Sequence, residues 1–175
     1  TSISWSDERT YLPPSRIRMM QQCLPAGAPP MRPVDLFERT VPSLWHLKPA
    51  HEADQWDVVG VFNFDEQPAV RSVRFDALGL DPNVDYAVFE FWEERYVGTV
   101  RGGLDLTLPP ESSRILSIRR VTGRPKLIGT DMQVLQGYHE LKQLKWDEAT
   151  LRLSGRYQRM PGLHQRAFFL VPPGY

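Results

Sequence analysis

The sequence predicts an all-β protein: an antiparallel β-sandwich of about eight to ten strands, preceded by a short N-terminal helical segment. Three observations carry that expectation. Residues 56–65 and 86–92 are the densest apolar segments, and β-branched and aromatic residues dominate them. The 16 prolines and 12 glycines fall largely between the apolar runs, as turn punctuation does in a β protein. Later runs such as Leu104-Asp105-Leu106-Thr107-Leu108 alternate apolar and polar residues, the signature of a strand with one wet face. Strand side chains alternate between faces. Trp56, Val58, Phe62 and Phe64 therefore share one face, and Val59 and Val61 the other. A strand apolar on both faces belongs in the middle of a packed sheet.

In chain order, Ile3 and Trp5 alternate with serines in a short extended segment over residues 1–8. Pro13 and Pro14 then suit the first turn of a helix, where a missing N–H costs nothing. Ile17, Met20 and Leu24 fall on one stripe of that helix, and Pro25 ends it. Residues 26–33 carry Pro29, Pro30 and Pro33 and read as an ordered linker. Val34 to Phe37 opens a turn of helix or a strand, and Trp45 and Leu47 mark an extended piece flanked by His46 and His51. Strands are then expected over residues 70–75, 86–92, 96–100, 104–108, 113–121 and 126–130. Residues 141–146 and 150–157 form a hairpin across Asp147-Glu148-Ala149, with Leu144 and Trp146 facing Leu151 and Leu153. Residues 164–171 close the set before Pro172-Pro173-Gly174. The division is 1–33 as an appended helical unit and linker, and 34–175 as the sandwich domain.

Composition narrows the functional classes. The 175 residues hold 21 basic and 21 acidic side chains, a formal net charge of zero. That balance argues against a nucleic-acid or anionic-membrane surface, which needs clustered Lys and Arg. No apolar run approaches a transmembrane helix or a signal peptide. Cys23 is the single cysteine, so no intrachain disulfide forms and the compartment is left open. It reads as a small apolar residue on the helix. The chain begins at Thr1 and reads as a piece of something longer.

Chemistry-bearing patterns are sparse. His51, Glu52 and Asp54 match no metal-ligand spacing and read as an exposed turn. Glu90 and Trp92 share a strand face, and an acid beside an exposed indole can bind a sugar. Tyr96 is a further candidate platform; packing of these aromatics in the core is the plainer reading. Asp131, His139 and Glu140 lie in a loop where Gly137 allows a tight turn. No nucleophile elbow, glycine-rich phosphate loop or His/Cys ligand cluster is present, so neither cofactor nor metal is expected.

Three stretches together resemble the C-terminal part of melibiase-like α-galactosidases, of the glycoside hydrolase clan of families 27 and 36. The first is SWSDERTYLPPSRIRMMQQCLP (residues 4–25), similar to the last βα unit of a catalytic (β/α)8 barrel. The second is MRPVDLFERTVPSLWHL (31–47), similar to the segment linking barrel and sandwich. The third is the ordered set WDVVGVFNFDE, YAVFEFW, LPPESSRILSIRR, PKLIGTDMQVLQG and LKWDEATLRLSG. The resemblance implies catalytic aspartates on earlier barrel strands; those stretches are not in this sequence, so no catalytic residue is carried over. Asp7 matches the acidic position at the end of the last barrel strand and is the one substrate-side candidate. Met132 and Gln133 stand where close relatives have a basic pair, so no ionic role is carried over to that loop. The resemblance thus implies a non-catalytic sandwich that caps or stabilises a parent barrel, its chief partner, with oligomerisation left open. The other reading is a carbohydrate-binding module using Glu90, Trp92 and Tyr96.

Overall fold

The computed structural model describes residues 12–24, 30–49, 51, 54–158 and 164–175. Asp7, the extended segment expected at 1–8 and part of the proline-rich linker lie outside the described residues. The helix α1 (Pro14–Gln22) starts behind Pro13 and ends at Cys23, as the proline signals predict. None of its residues is buried. It is anchored at its last turn, where Gln22 Nε2 donates to the Asp131 carbonyl (2.9 Å) and Val134 N donates to the Gln22 carbonyl (2.9 Å). Burial pushes the Cys23 thiol up from its ordinary value, in line with an inert side chain.

Twelve strands follow among the described residues, two more than the upper sequence expectation. They are β1 (Arg32–Pro33), β2 (Leu44–Leu47), β3 (Asp57–Asn63), β4 (Ala69–Arg74), β5 (Asp85–Glu90), β6 (Arg95–Arg101) and β7 (Gly103–Leu108). Then come β8 (Ser112–Arg120), β9 (Lys126–Thr130), β10 (Leu141–Asp147), β11 (Arg152–Tyr157) and β12 (Ala167–Leu170). Six of them form one antiparallel sheet in the order β1-β2-β3-β8-β5-β6. The others pair two by two, β4 with β7, β9 with β12 and β10 with β11. The end of the linker is thus a strand rather than irregular chain: Arg32 and Pro33 lie opposite His46 and Trp45.

The central sheet is covered on both faces, which is why the middles of β3 and β5 are apolar on both faces. On one face Val59, Val61, Val88, Leu116 and Ile118 pack against Val73, Phe75 and Leu108 of the β4–β7 pair. On the other, Ala87 and Phe89 meet Ile128 of β9 and Phe168 and Leu170 of β12. Val59, Val61 and Val88 on the first face are 0 % exposed and Val58, Ala87 and Phe89 on the second are 1–2 % exposed, so the inference from two-faced apolarity is borne out. Strands β3 and β5 are not neighbours, however; β8 pairs with both and lies between them. Strand β4, close to β3 in sequence, belongs to the covering layer because only alternate residues, Arg71 and Val73, are buried. Phe64 departs from the expected core face. The strand ends at Asn63, and Phe64 is 56 % exposed and stacks flat on Phe62 at 5.5 Å.

The β10–β11 hairpin forms with Trp146 opposite Leu153, as expected. Leu144 instead faces Gly155, and Leu151 sits in the turn at φ 50°. The covering layer on the β9 side leaves no slack. A Cβ built on Gly129 falls 2.3 Å from Phe89 Cδ1, whose ring is wedged against Phe168 at 4.6 Å. Gly129→Ala is expected to cost about 2 kcal/mol through overpacking. Urea denaturation checks it, and Phe89→Leu in the same background should recover part of the loss.

Candidate functional site

The sequence marks residues 131–140 as a loop, and they are one. They are not a solvated loop. Asp131, Gln133, Gln136 and Glu140 are between 0 and 4 % exposed. The loop lies over the β9–β12 side of the sheet, and its anchor comes from β8. Arg119 is 0 % exposed and reaches into the loop to donate to the Gln136 carbonyl at 2.5 Å. The same guanidinium donates to Asp54 Oδ2 at 2.6 Å and to Ser117 Oγ at 3.1 Å, and stacks over Trp56 at 4.4 Å. Burial lowers Arg119 from its ordinary value, while the Asp54 and Glu140 carboxylates pull the other way. It stays charged, since no environment here approaches deprotonating a guanidinium. Asp54, read from the sequence as part of an exposed turn, is the counter-ion of this buried charge and of Lys126 at 3.2 Å. Spacing could not show that, because its partners lie far away in the chain.

Inside the loop, Glu140 closes a tight turn. Its Oε1 accepts from Gly137 N at 2.9 Å and from the Thr130 hydroxyl. Gly137 has φ 122°, a conformation that side chains disfavour, so the expectation of a glycine-dependent turn holds. Burial raises the Tyr157 phenol above its ordinary value, and the carboxylates of Glu140 and Asp131 add to the rise.

Asp131 carries the loop's outward ionic role, which the loss of a basic pair at 132–133 had removed from expectation. Its carboxylate accepts from the backbone N–H of Arg166 at 2.7 Å and from Arg166 Nε at 3.1 Å, with Arg18 at 3.8 Å. Arg18 and Arg166 also pair with Glu94. Two arginines and two acids thus tie α1, the β5–β6 turn, the 131–140 loop and the chain ahead of β12 together. Between α1 and that loop lies a cleft of about 170 Å³, lined by Gln21, Gln22, Leu24, Met132, His139 and Gln165 among others.

A second built feature is the turn 34–43, before β2. Asp35 is 4 % exposed and gathers four donations: Ser43 N to both oxygens (3.0 and 2.9 Å), Ser43 Oγ (2.7 Å) and Leu44 N (3.0 Å). Burial pushes its carboxyl up, but the Ser43 hydroxyl and the N–H groups of Leu44 and Ser43 outweigh this, and the net shift is downward. The held turn presents Phe37 to solvent at 99 % exposure, with Leu36, Val41 and Phe64 also exposed.

The pairing of Glu90 with Trp92 on one strand face, drawn from the sequence, does not form. Strand β5 ends at Glu90, and residues 91–94 form a turn with Glu94 at φ 49°, so Glu90 and Trp92 do not share a strand face. Glu90 is 1 % exposed, and its carboxylate accepts from the N–H of Glu93 at 2.6 Å and of Ile115 at 3.3 Å. Such a carboxylate is a structural acceptor and does not face a ligand. Trp92 is half-buried and packs edge-on against Phe91 at 4.9 Å. Tyr96 is exposed, its hydroxyl bonded to Thr99 at 2.7 Å. No group of three or more His, Cys, Asp or Glu with metal-binding geometry occurs among the described residues. No helix among them is long and apolar enough to cross a membrane.

The fold defines a class first: a mostly antiparallel β protein of several sheets with one short N-terminal helix. Solved structures of similar architecture come from glycoside hydrolase family 27. An α-galactosidase from Mortierella vinacea matches at 18 % identity and TM-score 0.39, over 43 % of this chain and 20 % of that one. A β-L-arabinopyranosidase from Geobacillus stearothermophilus matches at 21 % identity and TM-score 0.44, over 55 % of this chain and 21 % of that one. A point variant of that enzyme in complex with arabinose matches at 19 % identity and TM-score 0.44, over 54 % and 20 %. The chain therefore resembles a partial region of these enzymes, about a fifth of their length. No protein-family model and no curated protein matches it.

Proposed function

We propose that this chain serves as a non-catalytic C-terminal β-sandwich of an α-galactosidase-like glycoside hydrolase, capping and stabilising its (β/α)8 barrel. The observation that carries this reading is the turn 34–43. A phenylalanine at 99 % exposure is costly to leave in water, yet the buried Asp35 holds the turn that displays it. With Leu36, Val41 and Phe64 it supplies the apolar surface that a neighbouring domain of the same polypeptide would cover. The similarity of residues 31–47 to the segment linking barrel and sandwich in melibiase-like enzymes supports the same reading. Asp7 would then face the sugar site of the parent enzyme, a role that belongs to the assembled protein.

The test compares Phe37→Ser in two settings. In the 175-residue chain alone it should leave the thermal midpoint essentially unchanged, since the ring touches solvent. In the protein extended upstream along its native reading frame, it should destabilise by about 2 kcal/mol. An upstream frame that encodes no barrel, or turnover of aryl α-galactosides by the isolated chain, defeats the proposal. A carbohydrate-binding role for Trp92 and Tyr96 remains the other reading. Galactoside titration followed by tryptophan fluorescence, with and without Trp92→Phe, decides it.

A further inference from the structure

The neutrality of the chain is a balance of two unlike halves. Residues 112–175 hold 11 basic and 4 acidic side chains, against 10 and 17 in residues 1–111. Arg114, Arg119, Lys126 and Arg166 are tied to acids. Lys142, Lys145, Arg152 and Arg156, all on the β10–β11 hairpin, make no ion pair among the described residues. The register sorts this hairpin into two faces. Gln143 lies opposite Arg156, Lys145 opposite Ser154 and Asp147 opposite Arg152. All six are exposed, and each of the three rungs carries one cation. Successive rungs on one strand face lie about 7 Å apart. Asp147 is engaged elsewhere: its Oδ1 accepts from the N–H groups of Ala149 at 3.0 Å and Thr150 at 3.2 Å. The opposite face carries Leu144, Trp146, Leu153 and Tyr157, all half-buried.

The hairpin is a two-stranded sheet whose outer edges pair with no other strand among the described residues. An open edge is a row of unpaired backbone donors and acceptors, a template for another strand. Cations beside such an edge repel further copies of themselves and attract an acidic strand. A strand added along β11 would alternate its side chains between the two faces. Those above Arg152 and Arg156 would meet cations that lack counter-ions; those below would meet Leu153 and Tyr157. A phosphate polymer would satisfy the cations alone and leave the open edge and the apolar face unused. We propose that β11 docks an extended peptide segment alternating acidic and apolar residues, added to the hairpin as a third strand. Main-chain hydrogen bonds then supply affinity, and the alternation of side chains supplies specificity. No residue of the 34–43 turn takes part, so the inference stands apart from the docking role of Phe37.

The experiment titrates the 175-residue chain with an acetylated octapeptide of sequence EVEVEVEV. Its comparators are KVKVKVKV, the block isomer EEEEVVVV, a fully N-methylated EVEVEVEV and a short duplex DNA. Binding is read from the backbone amide resonances of the protein. The expected result is saturable binding of EVEVEVEV with Kd on the order of 100 µM, with shifts concentrated along β11. The affinity should fall severalfold between about 50 and about 500 mM salt, as exposed charge pairs are screened. Arg152→Gln combined with Arg156→Gln should weaken binding about tenfold. Arg74→Gln, an exposed arginine on β4, should leave it unchanged. Circular dichroism of each variant confirms folding. Absence of saturation up to about 2 mM peptide overturns the proposal, given the affinity expected. Equal binding of the block isomer or the N-methylated form overturns it too, because charge alone would then suffice. So does tighter binding of DNA or of the lysine peptide, or binding that survives loss of both arginines.

Discussion

Replacing Arg119 with alanine is expected to destabilise the fold by about 4 kcal/mol, the scale for removing one partner of a buried ion pair. The side chain is wholly buried and contacts four residues that tie its own strand to two other segments: Asp54 and Trp56 just ahead of β3, Ser117 on β8, and the Gln136 carbonyl in the 131–140 loop. Truncation leaves the Asp54 carboxylate, only 12 % exposed, with Lys126 as its remaining ion-pair partner, strips the donor from a buried carbonyl, and leaves a void beside an indole that is 1 % exposed. Lysine is a poor substitute, because a single ammonium cannot reach a carboxylate, a hydroxyl and a carbonyl in the fork geometry of a guanidinium. Arg119→Met combined with Asp54→Asn should cost clearly less than Arg119→Ala, since it removes both charges and refills the volume. Urea denaturation of the three variants checks the ordering. A cost below about 1 kcal/mol for Arg119→Ala would mean that the loop is held by other contacts.

Asp35→Ala is the second large effect, about 3 kcal/mol, because it strips the acceptor from Ser43 N, Ser43 Oγ and Leu44 N in a buried turn. Asp35→Asn should cost about half as much, since one oxygen is retained and the amide faces a hydroxyl that can rotate to accept. The loss also has a pH signature. The carboxyl of Asp35 lies below its ordinary value in the folded protein, so in acid the unfolded chain binds its proton first. Stability from this group is therefore complete above the unfolded carboxylate range, about pH 4, and is lost as pH falls through the folded value. The Asp35→Asn variant should show a flatter acid limb in its stability profile. Wild-type and Asn variant falling in parallel between about pH 5 and 2 would contradict that assignment.

How much of this was legible in the sequence depends on the kind of residue. Strands β3, β5 and β7 could be read directly, because burial of a strand face is written as periodicity in the residues themselves. The glycine turn at Gly137 and the proline start of α1 were legible for the same local reason. The partners of Asp54 and Asp131 were not. Each acid looked like loop furniture, because Arg119 and Arg166 approach from 65 and 35 residues away. Nor does local reading separate Glu90 from a sugar-binding acid. Its role depends on where β5 stops and on which N–H groups the turn then aims at the carboxylate.

The sequence by itself determined the all-β class, the two-faced core strands and the resemblance to the C-terminal region of α-galactosidase-like enzymes. Each is a property of short segments and their order, and hydrophobic patterning suffices to specify it. Only the tertiary structure decided that β8 separates β3 from β5, that β4 leaves the sheet for a covering layer, and that the 131–140 loop is a buried polar network clamped by Arg119. Strand pairing and buried charge pairing are both choices among distant partners. Their energies arise only when the segments meet, so no window along the chain contains them.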